Sequence, residues 1–255
     1  MLLEKPFQPA RVYLLIRNTI LLNRSSILFI AAALAGVCIL FSFFDTYGNL
    51  NLQFHRNLYL FILFPGGLLL TGKTFKELHD PVKGYSWLLL PASILEKTLS
   101  RILLTTVIYI IGSMIFYLLL SIFSEGLNRI ILHRSHPLFN PFDPVILYCA
   151  LTYISIQSPF LIGAVYFKKH VLSKTILSLS CAFLIFGVCI LIAIWIIFGQ
   201  QGSGLDLQNI FHSRENNFLS TFGPIFMNVA KILFWLVIPI ISWIICFFRH
   251  KETEL

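Results

Sequence analysis

Residues 175–198 read TILSLSCAFLIFGVCILIAIWIIF, with no charged side chain among them. A helix needs roughly 20 predominantly apolar residues to cross about 30 Å of hydrocarbon. A barrel strand would alternate apolar and polar positions, whereas this stretch is apolar on every side. It is read as a membrane-spanning helix, and Ile102–Ser121 reads the same way. Charge-free stretches recur at 25–44, 57–72, 102–124, 144–167, 175–205 and 232–248. The second and sixth are short, a mismatch that local thinning of the bilayer accommodates.

Composition agrees with that reading. Of 255 residues, 57% are hydrophobic and 12% charged, against about 45–50% and about 25% in soluble domains. The predicted fold class is all-α: a polytopic membrane protein, residues 1–255 forming one transmembrane domain. Its six transmembrane helices are placed at about 25–44, 57–72, 99–124, 144–167, 175–198 and 229–248.

Lys and Arg resist translocation, so their distribution predicts orientation. Fourteen fall on one side: Lys5, Arg11, Arg17 and Arg24; Lys73, Lys76, Lys83, Lys97 and Arg101; Lys168, Lys169 and Lys174; Arg249 and Lys251. The opposite loops hold four, Arg56, Arg129, Arg134 and Arg214, with Lys231 at the mouth of the sixth span. Both termini are therefore expected in the cytoplasm. The net charge of +8 is a topology signal, and nucleic acid is not an expected partner. Leu34-Ala35-Gly36-Val37-Cys38 resembles a lipoprotein cleavage box, but Val37 stands where a small residue is wanted, and the basic region before it is too long for a cleaved signal. The five cysteines fall within predicted spans and read as buried free thiols.

Before the first span, residues 9–24 place apolar residues at helical spacing with Arg11, Arg17 and Arg24 interspersed, the pattern of an interfacial amphipathic helix. Span two contains Pro65-Gly66-Gly67; proline removes a backbone hydrogen bond, so a kink or break is expected there. Broken helices can line transport routes. Gln157 and Pro159 in span four are the other candidates for a pathway or kink.

The connector 73–98 holds Lys73, Lys76, Glu77, His79, Asp80 and Lys83. It ends in Ser93-Ile94-Leu95-Glu96, a capping box in which the Ser hydroxyl and Glu carboxylate satisfy the first free amides of a new helix. Gly67–Thr74 matches the phosphate-binding pattern GxxxxGK[ST], whose mechanism requires a loop between a buried strand and a helix. Here the pattern ends a Leu-rich span, and a chance match is the better explanation. His133-Arg134-Ser135-His136 has metal-like spacing with no acidic residue close in sequence, and reads as a solvated loop. All seven histidines read as lying outside the spans. Five of the six spans hold no ionisable residue, which argues against a proton-driven carrier. The outer loops 125–143 and 199–230 read as polar. No catalytic residue, cofactor or metal is expected.

Phe75-Lys76-Glu77-Leu78-His79-Asp80, followed by Leu88-Leu89-Leu90-Pro91-Ala92-Ser93-Ile94-Leu95-Glu96-Lys97, resembles the step before span three in the membrane subunit of type-2 ATP-binding-cassette exporters. The topology is similar to that family along the whole chain, the motif over about 25 residues. The resemblance implies a permease subunit in a bacterial inner (plasma) membrane, in contact with lipids, driven by a separate cytoplasmic ATPase and paired with a second copy or a related permease. It also implies a coupling helix between spans two and three, with Lys73, Lys76, Glu77, His79, Asp80 and Lys83 on the ATPase and Ser93 and Glu96 fixing re-entry into span three. Read from the residues alone, a short charged connector pinned at both ends can transmit a push. The alternative is a membrane scaffold or accessory subunit that moves nothing.

Overall fold

The computed structural model of the chain describes residues 7–48, 53–75, 92–198, 228–229 and 231–254. Every regular element among them is helical, as expected where each backbone polar group must be satisfied within its own segment. Nine α-helices are α1 (Pro9–Leu22), α2 (Arg24–Tyr47), α3 (Phe54–Phe61), α4 (Gly67–Lys73), α5 (Ile94–Leu103), α6 (Tyr109–Leu132), α7 (Pro144–Tyr166), α8 (Val171–Phe198) and α9 (Ile238–Glu254). Wider π-helical turns at Ile62–Gly66 and Leu104–Ile108 join α3 to α4 and α5 to α6, and a third at Leu233–Val237 leads into α9.

Among the described residues, five helical runs are long and apolar enough to cross a membrane: Arg24–Tyr47, Ile94–Leu132, Pro144–Tyr166, Val171–Ala193 and Leu233–Glu252. The run over 54–73, which contains the predicted second span, is not among them. Its first turn carries His55, Arg56 and Asn57, and Pro65 interrupts its middle. Without an N–H, Pro65 cannot bond the carbonyl one turn back, and the helix widens there. The Tyr109 hydroxyl donates to the Ile62 carbonyl across this turn at 2.9 Å.

The third run spans 39 residues, Ile94–Leu132, or about 58 Å at 1.5 Å per residue, nearly twice the hydrocarbon thickness. The sequence placed the end of this span at 124 and a polar loop at 125–143. The helix instead continues to Leu132 and stops at His133, whose φ of 53° is left-handed. Buried Glu125 and Asn128 face α2 here, so the continuation is held by tertiary partners. Glu125, the residue after the charge-free stretch 102–124, therefore lies inside a membrane-length helix and not in a loop.

Two packed clusters organise the molecule. One joins Cys38, Tyr59, Leu63, Tyr117, Phe139 and Tyr153 through the middle and one end. The other joins Phe75, Ile102, Leu161, Ala164, Val165 and Cys246 at the opposite end, where the connector leaves and re-enters. Helix α7 is central, with α4, α8 and α9 all packed on it. It continues as α-helix through Pro159. Helix α9 turns Ser242, Cys246 and His250, one turn apart each, into the protein, and α2 does the same with Cys38, Ser42 and Thr46. Helix α8 touches α7 closely at one point, where Gly163 faces the Thr175 side chain so tightly that a Cβ would overlap it. Among the described residues, the most apolar 18-residue window of α8 holds no residue buried inside the protein. Cys181 and Cys189 on α8 are accordingly exposed, unlike buried Cys38 and Cys246, which corrects the expectation of five buried thiols.

Candidate functional site

The candidate site residues fall at three levels of the bundle. At the connector end, Lys73 closes α4 and is exposed, while Phe75 two residues on is buried and meets the His250 ring at 5.6 Å. Lys76, Glu77, His79, Asp80 and Lys83 lie outside the described residues. On the return side the capping box is formed. The Glu96 amide donates to Ser93 Oγ at 3.2 Å, and the Ser93 amide donates to Glu96 Oε2 at 2.8 Å. Glu96 does a second thing that the motif alone does not specify. Its other oxygen, Oε1, accepts the Gln8 amide at 2.7 Å, so one fully buried carboxylate caps α5 and binds the residue that opens α1. Helix α1 packs against α5. Thr98 joins the same level to α9, its Oγ1 lying 2.7 Å from His250 Nδ1.

The phosphate-binding pattern is disposed of by geometry. Gly67–Lys73 is helix α4, its amides turned into the helix, and the Thr71 and Thr74 hydroxyls donate to the Gly67 and Leu70 carbonyls at 2.8 and 2.9 Å. Nothing remains to cradle a phosphate.

In the middle, Pro65, Gly66 and Gly67 shape a contact between helices. A Cβ on Gly66 would come within 2.6 Å of the Tyr109 hydroxyl, and one on Gly67 would overlap the Tyr153 ring. Tyr153 donates its hydroxyl proton to the Thr105 carbonyl at 3.0 Å, in the second π-helical turn. The two widened turns are thus each stitched by a tyrosine from a neighbouring run. Gln157 is fully buried, and among the described residues neither its amide oxygen nor its nitrogen has a hydrogen-bond partner, nor does the nearby Ser155 hydroxyl. A buried group left so costs about 1–3 kcal/mol.

The third level, the end of the bundle away from the connector, was missed in the sequence. Glu125 on α6 is buried and accepts from Ser42 Oγ on α2 at 2.9 Å and from the His136 backbone amide at 2.6 Å. His55 Nε2 on α3 lies 2.9 Å from the same carboxylate. Asn128 donates to Ser42 Oγ at 2.9 Å. The loop after α6 folds back over this group: Ser121 Oγ accepts the Phe139 amide at 3.1 Å, and Phe139 packs between Tyr59 and Tyr117. His136 is buried and stacks on Phe54 with ring centroids 5.1 Å apart, which overturns its reading as part of a solvated loop. His55 is buried as well. The signal available in sequence was the polar spacing Ser42/Thr46 and Ser121/Glu125/Asn128 at the ends of apolar helices. What it lacked was any indication that these two stripes meet.

No family model matches the chain, and no curated protein or solved structure is detectably similar to it.

Proposed function

We propose that the chain is the permease subunit of an ATP-binding-cassette exporter in a bacterial inner membrane. It spans the bilayer six times, the broken run over 54–73 serving as the second span, with both termini in the cytoplasm and α1 in the interface. A separate ATPase binds the connector through Lys73, Lys76, Glu77, His79, Asp80 and Lys83, and a second permease, identical or related, completes the pathway. The observation that carries this reading is the anchoring of the connector on both flanks. Phe75 is buried among α5, α7 and α9, and Glu96 ties the start of α5 to both Ser93 and Gln8. A push delivered between these points reaches α4, α5 and α1 without being absorbed by slack backbone. The unpartnered amide of Gln157 supplies a polar contact for cargo in an otherwise apolar bundle.

The test is capture of the partner and flux. Full-length chain purified from native membranes in mild detergent is expected to bring down a soluble ATPase, and the charge reversals Lys76→Glu, Glu77→Lys and Asp80→Lys together are expected to release it. Vesicles holding both subunits should then show ATP-dependent export. Retention of the ATPase after charge reversal would overturn the coupling assignment. Labelling of Lys73→Cys from outside sealed cells would overturn the topology. Capture without flux would identify a scaffold instead.

A further inference from the structure

We propose that the end of the bundle away from the connector binds one divalent transition-metal ion, of the zinc class, through His55 Nε2, His136 Nδ1 and Glu125 Oε1. One ligand atom from each of the three residues lies within 4.8 Å of the others, and all three residues are buried. The His55 Nε2 nitrogen is 2.9 Å and the His136 Nδ1 nitrogen 3.5 Å from Glu125 Oε1. Tetrahedral zinc with bonds of about 2.0–2.1 Å sets its ligands about 3.3 Å apart, so each nitrogen already stands near a ligand–ligand distance from the carboxylate oxygen.

The outer partners select these nitrogens. His136 Nε2 lies 2.7 Å from Asp45 Oδ2, so Nε2 carries a proton and Nδ1 is the bare nitrogen. A carboxylate holding the far nitrogen of an imidazole is the usual support of a metal-bound histidine. His55 Nδ1 lies 3.1 Å from the Tyr117 hydroxyl, so that with a metal on Nε2 the Nδ1 proton has the Tyr117 oxygen as its acceptor.

The hydrogen-bond accounting around His136 then lacks a positive species. Beside its bare Nδ1 stand Thr46 Oγ1 at 3.1 Å and Glu125 Oε1 at 3.5 Å. Thr46 already gives its hydroxyl proton to the Ser42 carbonyl at 2.8 Å and accepts from Asn128 at 3.1 Å. Glu125 is a carboxylate with nothing to donate. His136 Nδ1, Thr46 Oγ1 and Glu125 Oε1 thus lie together, with Ser42 Oγ and Asn128 donating to the carboxylate oxygen but not to the bare imidazole nitrogen, and a divalent ion supplies that nitrogen with its missing partner. Two imidazoles and a carboxylate are borderline donors that suit zinc better than calcium or magnesium, which prefer oxygen ligands.

The ligands come from α3, α6 and the loop after α6. The ion therefore clasps the run over 54–73 to the third helical run and holds the loop over 133–143 down on both. This is a structural clasp, and it does not depend on the permease reading.

The experiment uses tag-free full-length chain in detergent, stripped with a chelator and dialysed, then titrated with Co²⁺ alone and with Zn²⁺ alone. One ion per chain is expected, with visible ligand-field bands of tetrahedral or five-coordinate Co²⁺ that Zn²⁺ bleaches, and with a higher Tm for the loaded form. His136→Ala should weaken binding by at least 100-fold, and Asp45→Asn, which keeps all three ligands, by about 10–100-fold. Should His136→Ala fail to fold, the wild-type titration and Asp45→Asn still decide. A metal-free wild type that takes up no stoichiometric ion would overturn the proposal. Unchanged uptake in folded His136→Ala and Asp45→Asn would overturn it too, by placing the ion elsewhere.

Discussion

Glu96 and Glu125 sit at opposite ends of the same 39-residue helical run, both buried, and the chain satisfies them by different means. Glu96 is held by backbone amides, one of them three residues away at Ser93 and the other at Gln8. Glu125 is held by Ser42, His55, Asn128 and the His136 amide, drawn from α2, α3, its own helix and the following loop. The first arrangement survives on local geometry with one long-range addition. The second exists only once three helices and a loop have assembled.

The contrast can be broken most directly at Glu125. Glu125→Ala leaves the Ser42 hydroxyl, the Asn128 side-chain amide and the His136 backbone amide without this acceptor, and is expected to destabilise the folded chain by about 3–5 kcal/mol. Chemical unfolding in detergent, followed by tryptophan fluorescence, measures this. If the loss were no larger than for Glu96→Ala, the far end would not be the more interdependent one.

Between the two ends, Gly67→Ala forces a methyl group into the Tyr153 ring and should cost about 1–3 kcal/mol. Gly112→Ala, with nothing within 4 Å of its Cβ, is expected to be neutral or slightly stabilising on the same assay.

Glu96→Ala removes a helix cap, worth about 1 kcal/mol, and releases the Gln8 amide. Its sharper signature is local: proteolysis between α1 and α2 should accelerate while cleavage in the loop over 133–143 stays at the wild-type rate. Equal acceleration at both places would erase the distinction between the ends. The smallest effect is expected for Tyr109→Phe, which deletes one hydroxyl bond to the Ile62 carbonyl and should cost about 0.5–1.5 kcal/mol, read as a shift in the unfolding midpoint at constant slope.

Legibility in the sequence followed the range of the interactions. The capping box at Ser93 and Glu96 could be read because its two partners are three residues apart and obey helix geometry. Pro65 announced the widened turn because a missing N–H is a property of that residue alone. Pro159 carried the same warning, yet α7 continues as α-helix on both sides of it, packed against neighbouring helices, and the Ser158 hydroxyl donates to the Ile154 carbonyl at 2.7 Å beside the gap. His136 read as solvated because its acidic partners, Asp45 and Glu125, are 91 and 11 positions away. The third span was read as ending at 124 because a charged residue signals water unless a partner is known, and the partners of Glu125 lie on other helices.

From the sequence by itself come the all-helical class, the membrane-length apolar runs, the interruption at Pro65 and the cap at Ser93. Each follows from composition or from contacts within one turn of helix, where spacing determines who meets whom. The tertiary structure decided the rest: that Glu96 also holds Gln8, that Gly66 and Gly67 receive two tyrosines, and that His55, Glu125 and His136 converge on one point. Those contacts join residues from separate helices, and the rotation and depth at which apolar helices pack depend on the whole interdigitated surface rather than on any short pattern along the chain.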